Sequence, residues 1–379
     1  MVIEKRILLI ENSSTDFYKA RIPYAKYLLN KGYKVFAFIP NDGLYNYKTY
    51  NDITIFYYDL KRKDKNILNF FKTIYTLKKI IIENQIQIIH SYRFLPNLIN
   101  TLSNFFNKKK VIIHITGLGI IFSNNDFIFK FYKIFIQIVF QVKFLRANKI
   151  IFQNYDDIND IFLKNIWVKK FNVVKGSGVD INKFSILNYN KKELRSKFNI
   201  TNSEIIFICV TRLIWEKGIK EMIDAFQELK NNNCILWIIG WSDSDNPRCI
   251  NQQYINIYKN HSNIKFLGRL DDIKEYLAAS DVYLYPSYYR EGIPRSILEA
   301  LSMSLPIVTT DTPGCNLTVI NNQNGFLIKP KSTSDIIRVI NNLLNPKIRY
   351  EMSTKSRLLV EKEFQNDVIF TKLEKLYNS

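Results

Sequence analysis

Residues 281–311 read DVYLYPSYYREGIPRSILEALSMSLPIVTTD, and this stretch decides the fold class of the second half of the chain. An apolar run (281–287) is followed by a Gly-Pro turn, by a helical pattern over 294–304 and by a second apolar run (306–311). Two near-continuous apolar strands joined by a helix are typical of a parallel β-α-β unit that is buried on both faces of the sheet. The stretch therefore predicts a doubly wound α/β domain.

Two glutamates of this stretch stand eight positions apart, Glu291 in the turn and Glu299 on the helix. Eight residues of an ideal helix rotate by about 80° beyond two full turns, so Glu299 is able to face the side on which Glu291 lies. Pro294 suits the first turn of the helix, because its missing N–H would have no partner there. Carboxylates only accept hydrogen bonds, which suits them to pairs of hydroxyl groups.

Apolar runs and helical patterns alternate along the whole chain. They are interrupted at GSGVD (176–180), a turn that suits a hinge. The sequence therefore predicts two doubly wound, Rossmann-like α/β domains with the cleft between them as the default ligand site: an N-terminal domain (1–183), a C-terminal domain (184–360) and a last helix (361–379) that crosses back to the first. The predicted strands are 6–11, 33–40, 53–59, 86–91, 110–116, 148–153 and 171–175, then 204–212, 234–240, 263–268, 281–287, 306–311 and 325–328; helix candidates include 20–31, 66–84 and 126–146.

Two cations follow the first predicted strand of the second half. Arg212 ends the strand, and Lys217 and Gly218 lead into a helix. An arginine and a lysine beside a helix N-terminus form a cradle for phosphate groups, because the helix dipole and free N–H groups add to the two charges. Ligands of such sheets bind at the carboxyl ends of the strands. Together with the two glutamates, the cradle predicts a nucleotide sugar as ligand; for each residue alone, a solvated surface charge is the alternative.

Basic residues are concentrated in the first half. The chain carries a net charge of +20, of which residues 1–183 contribute +16, with 29 Lys and Arg against 13 Asp and Glu. Such a domain should attract an extended anion such as a lipid surface, a nucleic acid or a polyphosphate. The alternative is a general preference of an AT-rich genome for Lys, Asn and Ile.

Other classes of protein are disfavoured by composition. The first residues carry too many charges for a signal peptide, and no apolar run approaches the length that spans a bilayer. The four cysteines form no CxxC pair, so reduced thiols of a cytosolic protein are expected, with neither a disulfide framework nor a zinc site.

Several motifs together resemble one enzyme family over nearly the whole chain, the retaining GT-B glycosyltransferases of family 4. The branch they resemble extends sugars on undecaprenyl diphosphate in capsule, O-antigen or protein N-glycan assembly, and includes N-acetylgalactosaminyltransferases. The motifs are TRLIWEKG (211–218), FLGRLDD (266–272), REGIPRSILEA (290–300), TDTPGC (310–315) and NGFLI (324–328), with GLGIIF (117–122) and GWSDSDNP (240–247) in keeping with that branch.

The resemblance implies roles for the matching residues. Arg212 and Lys217 would neutralise the departing diphosphate, and Glu291 would hydrogen-bond the transferred sugar as the third catalytic residue. Glu299 would hold the ribose hydroxyls. The other implied donor contacts are Gly292, Ile293 and Pro294 beside the sugar, Arg269 and Leu270 at the base, Gly240, and Ser13 and Ser14 in a first-domain loop that lacks the usual glycines.

The implied acceptor site lies in the first half. Many relatives carry a histidine where this chain has Thr116, just before Gly117, and His114 would face the same way two residues earlier. For His114 a buried core position is an equal alternative, as it is for His90. Arg62 matches a position that could meet an acceptor phosphate, with a solvated charge as the alternative.

Two further features have competing interpretations. Asp243 and Asp245 form a D-x-D pattern within a turn, so no metal site is predicted. Residues 127–144, FIFKFYKIFIQIVFQVKF, interleave aromatic side chains with Lys130, Lys133 and Lys143. This segment is either a core helix or an interfacial helix that lies on a membrane.

The sequence thus predicts a retaining glycosyltransferase that moves a hexose or N-acetylhexosamine from a UDP-sugar to a polyprenyl-diphosphate-linked sugar. We expect no cofactor, a cytoplasmic location at the inner face of the plasma membrane, and partners that include an anionic membrane surface. The alternatives are a GT-B sugar-nucleotide epimerase, which would need no lipid acceptor, and a basic nucleic-acid-binding protein, for which no aromatic-basic platform or reader helix is evident.

Overall fold

The computed structural model of the chain describes residues 5–42, 50, 52–60, 67–119, 122, 127–229, 233–242, 246 and 248–379. It contains two parallel sheets, each in its own compact unit. The predicted fold class is confirmed, since every predicted strand is present and each sheet is covered by helices.

The strands are β1 Arg6–Ile10, β2 Lys34–Pro40, β3 Ile53–Tyr58, β4 Ile88–Tyr92, β5 Lys110–Ile115, β6 Lys149–Phe152, β7 Phe171–Val173, β8 Ile205–Val210, β9 Cys234–Ile239, β10 Ile264–Gly268, β11 Val282–Tyr285, β12 Ile307–Thr310 and β13 Gly325–Ile328. The α-helices are α1 Ser14–Asp16, α2 Ile22–Asn30, α3 Ile67–Glu83, α4 Phe94–Ser103, α5 Phe127–Arg146, α6 Tyr155–Asn159, α7 Lys164–Trp167, α8 Lys191–Lys197, α9 Ile219–Glu228, α10 Gln252–Ile257, α11 Lys274–Ala279, α12 Arg295–Ser302, α13 Thr333–Leu343, α14 Pro346–Glu363 and α15 Asn366–Asn378.

The compact units divide the chain at positions close to those predicted. The first unit comprises Met1–Ser177 and Asn366–Ser379, and the second comprises Gly178–Gln365. The first division falls inside the predicted hinge GSGVD. The returning helix begins at Asn366 rather than at 361, because α14 continues to Glu363 and packs in the core of the second unit through Val360.

In the first unit the sheet order is β3-β2-β1-β4-β5-β6-β7. Side chains alternate between the two faces of β1, as a strand requires: Ile7 and Leu9 pack with α2 and α15, whereas Leu8 and Ile10 pack with α3 and α4. The strand order reverses between β1 and β4. In an open parallel sheet such a reversal leaves a crevice at the carboxyl ends of the strands.

In the second unit the sheet order is β10-β9-β8-β11-β12-β13. Here the reversal lies between β8 and β11, which pair in parallel through Phe207 and Val282. Both strands are almost fully buried, so their predicted near-continuous apolar character is explained by helices on both faces. The loops that leave these two strands carry Arg212, Lys217 and Glu291.

Candidate active site

A buried polar cluster joins the two loops at the strand-order reversal of the second unit. The Lys217 ammonium donates a hydrogen bond to the Tyr285 hydroxyl at 2.8 Å, and that hydroxyl donates to Glu291 Oε1 at 2.8 Å. Lys217 also forms an ion pair with Glu291. Two of the predicted catalytic residues are thus in direct contact, and Tyr285, the last residue of β11, connects them.

Lys217 is almost completely buried, and this changes its protonation equilibrium. Burial, with the nearby Arg212 guanidinium adding to the effect, lowers the pKa of the Lys217 ammonium to about 7. The contact with the Glu291 carboxylate opposes that shift because it favours the charged amine. An anion placed beside Lys217 would do the same, so this residue is suited to gaining charge when a phosphate group binds.

Close backbone contacts hold the loops of the cluster in place. Gly218, the N-cap residue of α9, has a φ of +72°, and a Cβ at this position would lie 2.4 Å from the Pro286 carbonyl oxygen. Gly314 has a φ of +85°, and a Cβ there would lie 1.5 Å from the Gly292 oxygen. Both contacts require glycine. The turn that carries Glu291 therefore packs directly against the TDTPGC loop, and Pro286, which follows β11, packs directly against the start of α9.

The three residues after Glu291 that were predicted to lie beside the sugar, Gly292, Ile293 and Pro294, are all buried, and their role as donor contacts remains a prediction. Helix α12 begins at Arg295, one position after the predicted start, and Pro294 is its N-cap residue. Glu299 accepts a hydrogen bond at 2.9 Å from Arg295, one turn earlier on this helix. Arg295, which the sequence argument did not single out, therefore orients the glutamate that was predicted to hold ribose.

The predicted base-binding region lies at the end of β10, two strands from the cluster. Arg269 is exposed and its guanidinium lies 5.2 Å from the ring centroid of Trp241, while Leu270 is half-buried against the core. Gly240 lies beside Thr211, where a Cβ would come within 1.8 Å of the carbonyl oxygen. These residues share one edge of the sheet with Arg212, which is partly buried.

The first-unit donor contacts that were predicted have structural roles. The Ser13 hydroxyl accepts a hydrogen bond from the Asp16 amide and caps α1, and the buried Ser14 hydroxyl donates to Asp42. Both hydroxyls therefore hold the loop that follows β1. Their role as donor contacts remains a prediction.

The acceptor residues predicted in the first unit differ in their exposure to solvent. His114 is fully buried, with its ring 5.1 Å from Tyr92 and 5.6 Å from His90, which agrees with the core interpretation, and its role as an acceptor contact stays a prediction. Thr116 and Gly117 are partly exposed directly after β5. Arg62 lies outside the described residues.

The part of the chain that the structure describes contains neither a cluster of metal ligands nor a disulfide bond. Within it, no three His, Cys, Asp or Glu side chains are grouped to hold a metal ion. Asp243 and Asp245 fall outside the described residues. The four cysteines are free thiols, and burial raises the pKa of Cys209 to about 12.

The sequence analysis did not predict two residues that connect functional loops, Tyr285 and Glu11. Tyr285 lies inside an apolar run and gave no polar signal, although a tyrosine at the carboxyl end of a central strand is placed to reach such a site. Glu11, the last residue of the predicted strand 6–11, is completely buried and forms ion pairs with Arg21 and Arg93. The charge on an otherwise apolar strand was the available signal for this cluster.

Comparison with known proteins agrees with this geometry. A solved Anabaena protein, in complex with UDP and glucose, has the same fold with a TM-score of 0.77 at 16% identity, covering 99% of this chain and 100% of that one. The two-domain architecture is that of the GT-B glycosyltransferases. Residues 190–358 match the family described as "Glycosyl transferases group 1", and residues 6–154 match "Glycosyl transferase 4-like". The chain is thus a glycosyltransferase whose two halves match these two families.

Two curated relatives narrow the comparison. The N,N'-diacetylbacillosaminyl-diphospho-undecaprenol alpha-1,3-N-acetylgalactosaminyltransferase of Campylobacter jejuni is 27% identical over 98% of both chains. The UDP-Gal:alpha-D-GlcNAc-diphosphoundecaprenol alpha-1,3-galactosyltransferase of Escherichia coli is 29% identical over 59% of this chain and 58% of its own.

Substitution of Gly314 by Ala should destabilise the second unit more than the same change at Gly268. Both glycines have positive φ, which costs an alanine about 1–2 kcal/mol. Only Gly314 would also push a Cβ into a carbonyl oxygen, since Gly268 has no atom within 4 Å, and overpacking adds about 1–3 kcal/mol. Urea unfolding followed by tryptophan fluorescence measures the difference, because Trp215, Trp237 and Trp241 report on this unit. Equal losses for the two variants would contradict the contact.

Proposed function

We propose that the chain is a retaining glycosyltransferase that moves a hexose or N-acetylhexosamine from a UDP-sugar to a sugar on polyprenyl diphosphate. The observation that carries the proposal is the buried contact of Lys217, Tyr285 and Glu291 beside Arg212, at the strand-order reversal of the second unit. This contact brings together cations for a diphosphate and a carboxylate for sugar hydroxyls in a largely buried site, where electrostatic interactions are strong.

The residues of the cluster would act on charge that develops during transfer. When the bond from the sugar to the diphosphate breaks, negative charge grows on the leaving UDP, and Arg212 and Lys217 would stabilise it without a metal ion. Glu291, held by Tyr285 and Lys217, would accept hydrogen bonds from the sugar. The acceptor hydroxyl would form the new bond on the face that UDP leaves, with its proton passing to a donor phosphate oxygen, so that the configuration is retained.

The relatives support the choice of substrates. The Campylobacter jejuni enzyme is named for an undecaprenyl-diphosphate-linked acceptor, and the Escherichia coli enzyme for both such an acceptor and UDP-galactose. The Anabaena structure contains UDP and glucose. These names favour a reaction with two substrates, a UDP-sugar and a lipid-linked acceptor. An epimerase, the alternative, would need only a sugar nucleotide as its substrate.

Release of UDP from a panel of UDP-sugars, measured with and without undecaprenyl-diphosphate-linked acceptors, tests the proposal. We expect release that depends on the acceptor, survives EDTA and falls by about 10²-fold or more in Glu291→Gln, the scale of losing one group directed at a transition state. Glu351→Gln, exposed on α14, is the matched control. Interconversion of UDP-sugars without acceptor would establish an epimerase, and loss of activity in EDTA that Mn²⁺ restores would favour a metal at Asp243 and Asp245.

Binding of a UDP-sugar should weaken as pH rises through about 7, where burial places the pKa of Lys217. A lowered lysine pKa means that the free site loses its cation above this pH, whereas the diphosphate diester keeps its charge. The dissociation constant should rise by up to about tenfold per pH unit above 7, and Lys217→Arg should flatten the profile because a guanidinium stays charged. Calorimetry at pH 6.0–8.5 measures both, and a flat wild-type profile would show that Glu291 keeps Lys217 protonated.

We further propose that the first unit binds the anionic inner surface of the plasma membrane through α5. Helix α5 carries no acidic residue, and its first turns expose Phe127, Phe131 and Phe135 beside the exposed Lys130. The α6–α7 segment continues this surface, since Gln137 and Gln141 of α5 bond the Asp160 and Phe162 carbonyl oxygens. Exposed aromatic rings with interleaved cations suit the boundary between lipid headgroups and acyl chains.

Other parts of the basic surface are less suited to binding lipid. The Lys110 ammonium bonds the Tyr377 and Ser379 carbonyl oxygens at the amino ends of the strands, so it holds the terminal helix. Lys143 is fully buried, and burial lowers its pKa well below the usual range of a lysine. Residues 61–65 lie outside the described residues. Among the described residues no helix is long and apolar enough to span a bilayer, so the proposed attachment is to the surface.

Liposome flotation tests the surface attachment. The wild type should float with vesicles that contain anionic lipid, and less so as salt rises, because exposed charges are screened beyond about 10 Å at 0.1 M salt. The double variants Phe131→Ser/Phe135→Ser and Lys130→Glu/Lys133→Glu should each lose most of this binding. Phe106→Ser and Lys108→Glu, exposed at the opposite edge of the sheet, are the controls. Equal flotation on neutral vesicles, or none on any, would favour a transferase for soluble acceptors.

A further inference from the structure

A second ionic cluster lies at the strand-order reversal of the first unit. Glu11, directly after β1, is completely buried between two arginines: Arg21 Nε lies 3.1 Å from one carboxylate oxygen and Arg93 Nε lies 3.2 Å from the other. Arg93 also bonds Asp16 at 2.6 Å. The cluster therefore ties the loop after β1 to the loop after β4, at the place where an open parallel sheet binds its ligand.

Arg93 has an unusual backbone conformation, with φ +73° and ψ 178°. This region is occupied almost only by glycine, and other residues adopt it where surrounding contacts enforce it, which is frequent at functional sites. Here the Arg93 amide donates to the His114 carbonyl oxygen at 2.9 Å, and the Arg93 carbonyl accepts from the Asn97 amide at 3.2 Å. The strain directs the side chain toward Glu11 and Asp16 rather than along the path of a relaxed strand end.

One part of the cluster is buried, and the other part is accessible to solvent. Glu11 is inaccessible, and the Arg21 guanidinium lies 3.6 Å from the ring centroid of the buried Tyr92. The side chains of Arg93 and Asp16, by contrast, are 40% and 41% exposed. The buried ion pair of Glu11 with Arg21 thus helps to hold the Arg93 guanidinium beside the Asp16 carboxylate at the surface. There, hydrogen-bond donors and acceptors lie in a defined geometry.

The charge of the cluster indicates which ligand it suits. Two arginines and two carboxylates cancel, so the cluster has no net charge to attract a diphosphate, in contrast to the cations of the second unit. A neutral ligand with several hydroxyl or acetamido groups fits paired donors and acceptors better. Thr116 and Gly117, the partly exposed residues after β5, lie at the same edge of the sheet.

We infer that Arg93 and Asp16 form a binding subsite for the neutral sugar of the acceptor, with Glu11 and Arg21 as positioning residues. This inference rests on the proposed function, because an acceptor sugar is what a transferase of this kind would bind in its first unit. It assigns the recognition of the sugar ring to this cluster, separately from the lipid diphosphate. Loss of Arg93 should therefore weaken the acceptor and leave the donor unaffected.

The test uses the full chain and two measurements. Saturation-transfer NMR with the methyl α-glycosides of glucose, galactose, N-acetylglucosamine and N-acetylgalactosamine detects weak sugar binding without any transfer reaction. Steady-state kinetics with an undecaprenyl-diphosphate-linked acceptor gives KM and kcat. In Arg93→Lys and Asp16→Ala we expect the NMR signal to be lost and the acceptor KM to rise about tenfold or more, as for a hydrogen bond to a charged group, with UDP-sugar affinity unchanged within about twofold.

Two further variants separate binding from folding. Arg93→Gly removes the side chain while glycine adopts the backbone conformation freely, so it should fold and still fail to bind sugar. Arg146→Lys is the control, because Arg146 bonds the Asn107 and Lys109 carbonyl oxygens at the opposite edge and should change neither the NMR signal nor KM.

The possible results test the sugar subsite and the proposed transferase function separately. Absence of sugar signals in the wild type, or unchanged sugar binding and acceptor KM in Arg93→Lys and Arg93→Gly, would overturn the inference, as would variants that lose only thermal stability. Sugar binding that Arg93→Gly abolishes, in a chain that transfers no sugar to any acceptor, would retain the subsite and reject the proposed function.

Discussion

The reversal of strand order in each parallel sheet is the constraint on which the arrangement of this molecule depends. Helices that leave two neighbouring strands in opposite directions cannot cover the carboxyl ends of both, so an opening remains there. In the first unit the reversal lies between β1 and β4, and in the second between β8 and β11. Each opening contains buried charged residues that come from both flanking loops, so ionic contacts between the loops add to their apolar and backbone packing.

These buried charges are costly unless they are paired. Removing an ion from water costs several kcal/mol even after relaxation, and a partner with good geometry offsets that cost. Lys217 has Tyr285 and Glu291, and Glu11 has two arginines and the Tyr58 hydroxyl near its backbone. The pairs differ in their balance: with Arg212 the second-unit cluster has excess positive charge, whereas the first-unit cluster is neutral. That difference in charge is the basis on which we propose an anionic ligand for the second-unit cluster and a neutral sugar for the first-unit cluster.

The sequence predicted the fold and the second-unit site better than the first-unit site, for physical reasons. Apolar runs that alternate with helices determine a doubly wound sheet, and its carboxyl edge must contain Arg212, Lys217 and Glu291. The contact of Lys217 with Glu291 was not predictable from spacing, because it joins loops that are 74 positions apart and depends on the pairing of β8 with β11. For His114 the sequence left two interpretations open, because strand alternation gives the face of a residue but not whether a helix covers that face. In the structure its ring is buried beside His90 and Tyr92.

Net charge and local structure contribute differently to attraction by a membrane. The +16 of residues 1–183 sets a long-range field, which salt screens within about 10 Å, and it says nothing about orientation. Some of these lysines make contacts within the protein and are not available to lipid. Lys110 hydrogen-bonds the terminal helix, and Lys143 is buried against aromatic rings. Orientation must therefore come from a surface that combines accessible cations with apolar side chains. The exposed first turns of α5 have both, so the helix rather than the total charge would determine how the first unit presents its carboxyl edge to a lipid-linked sugar.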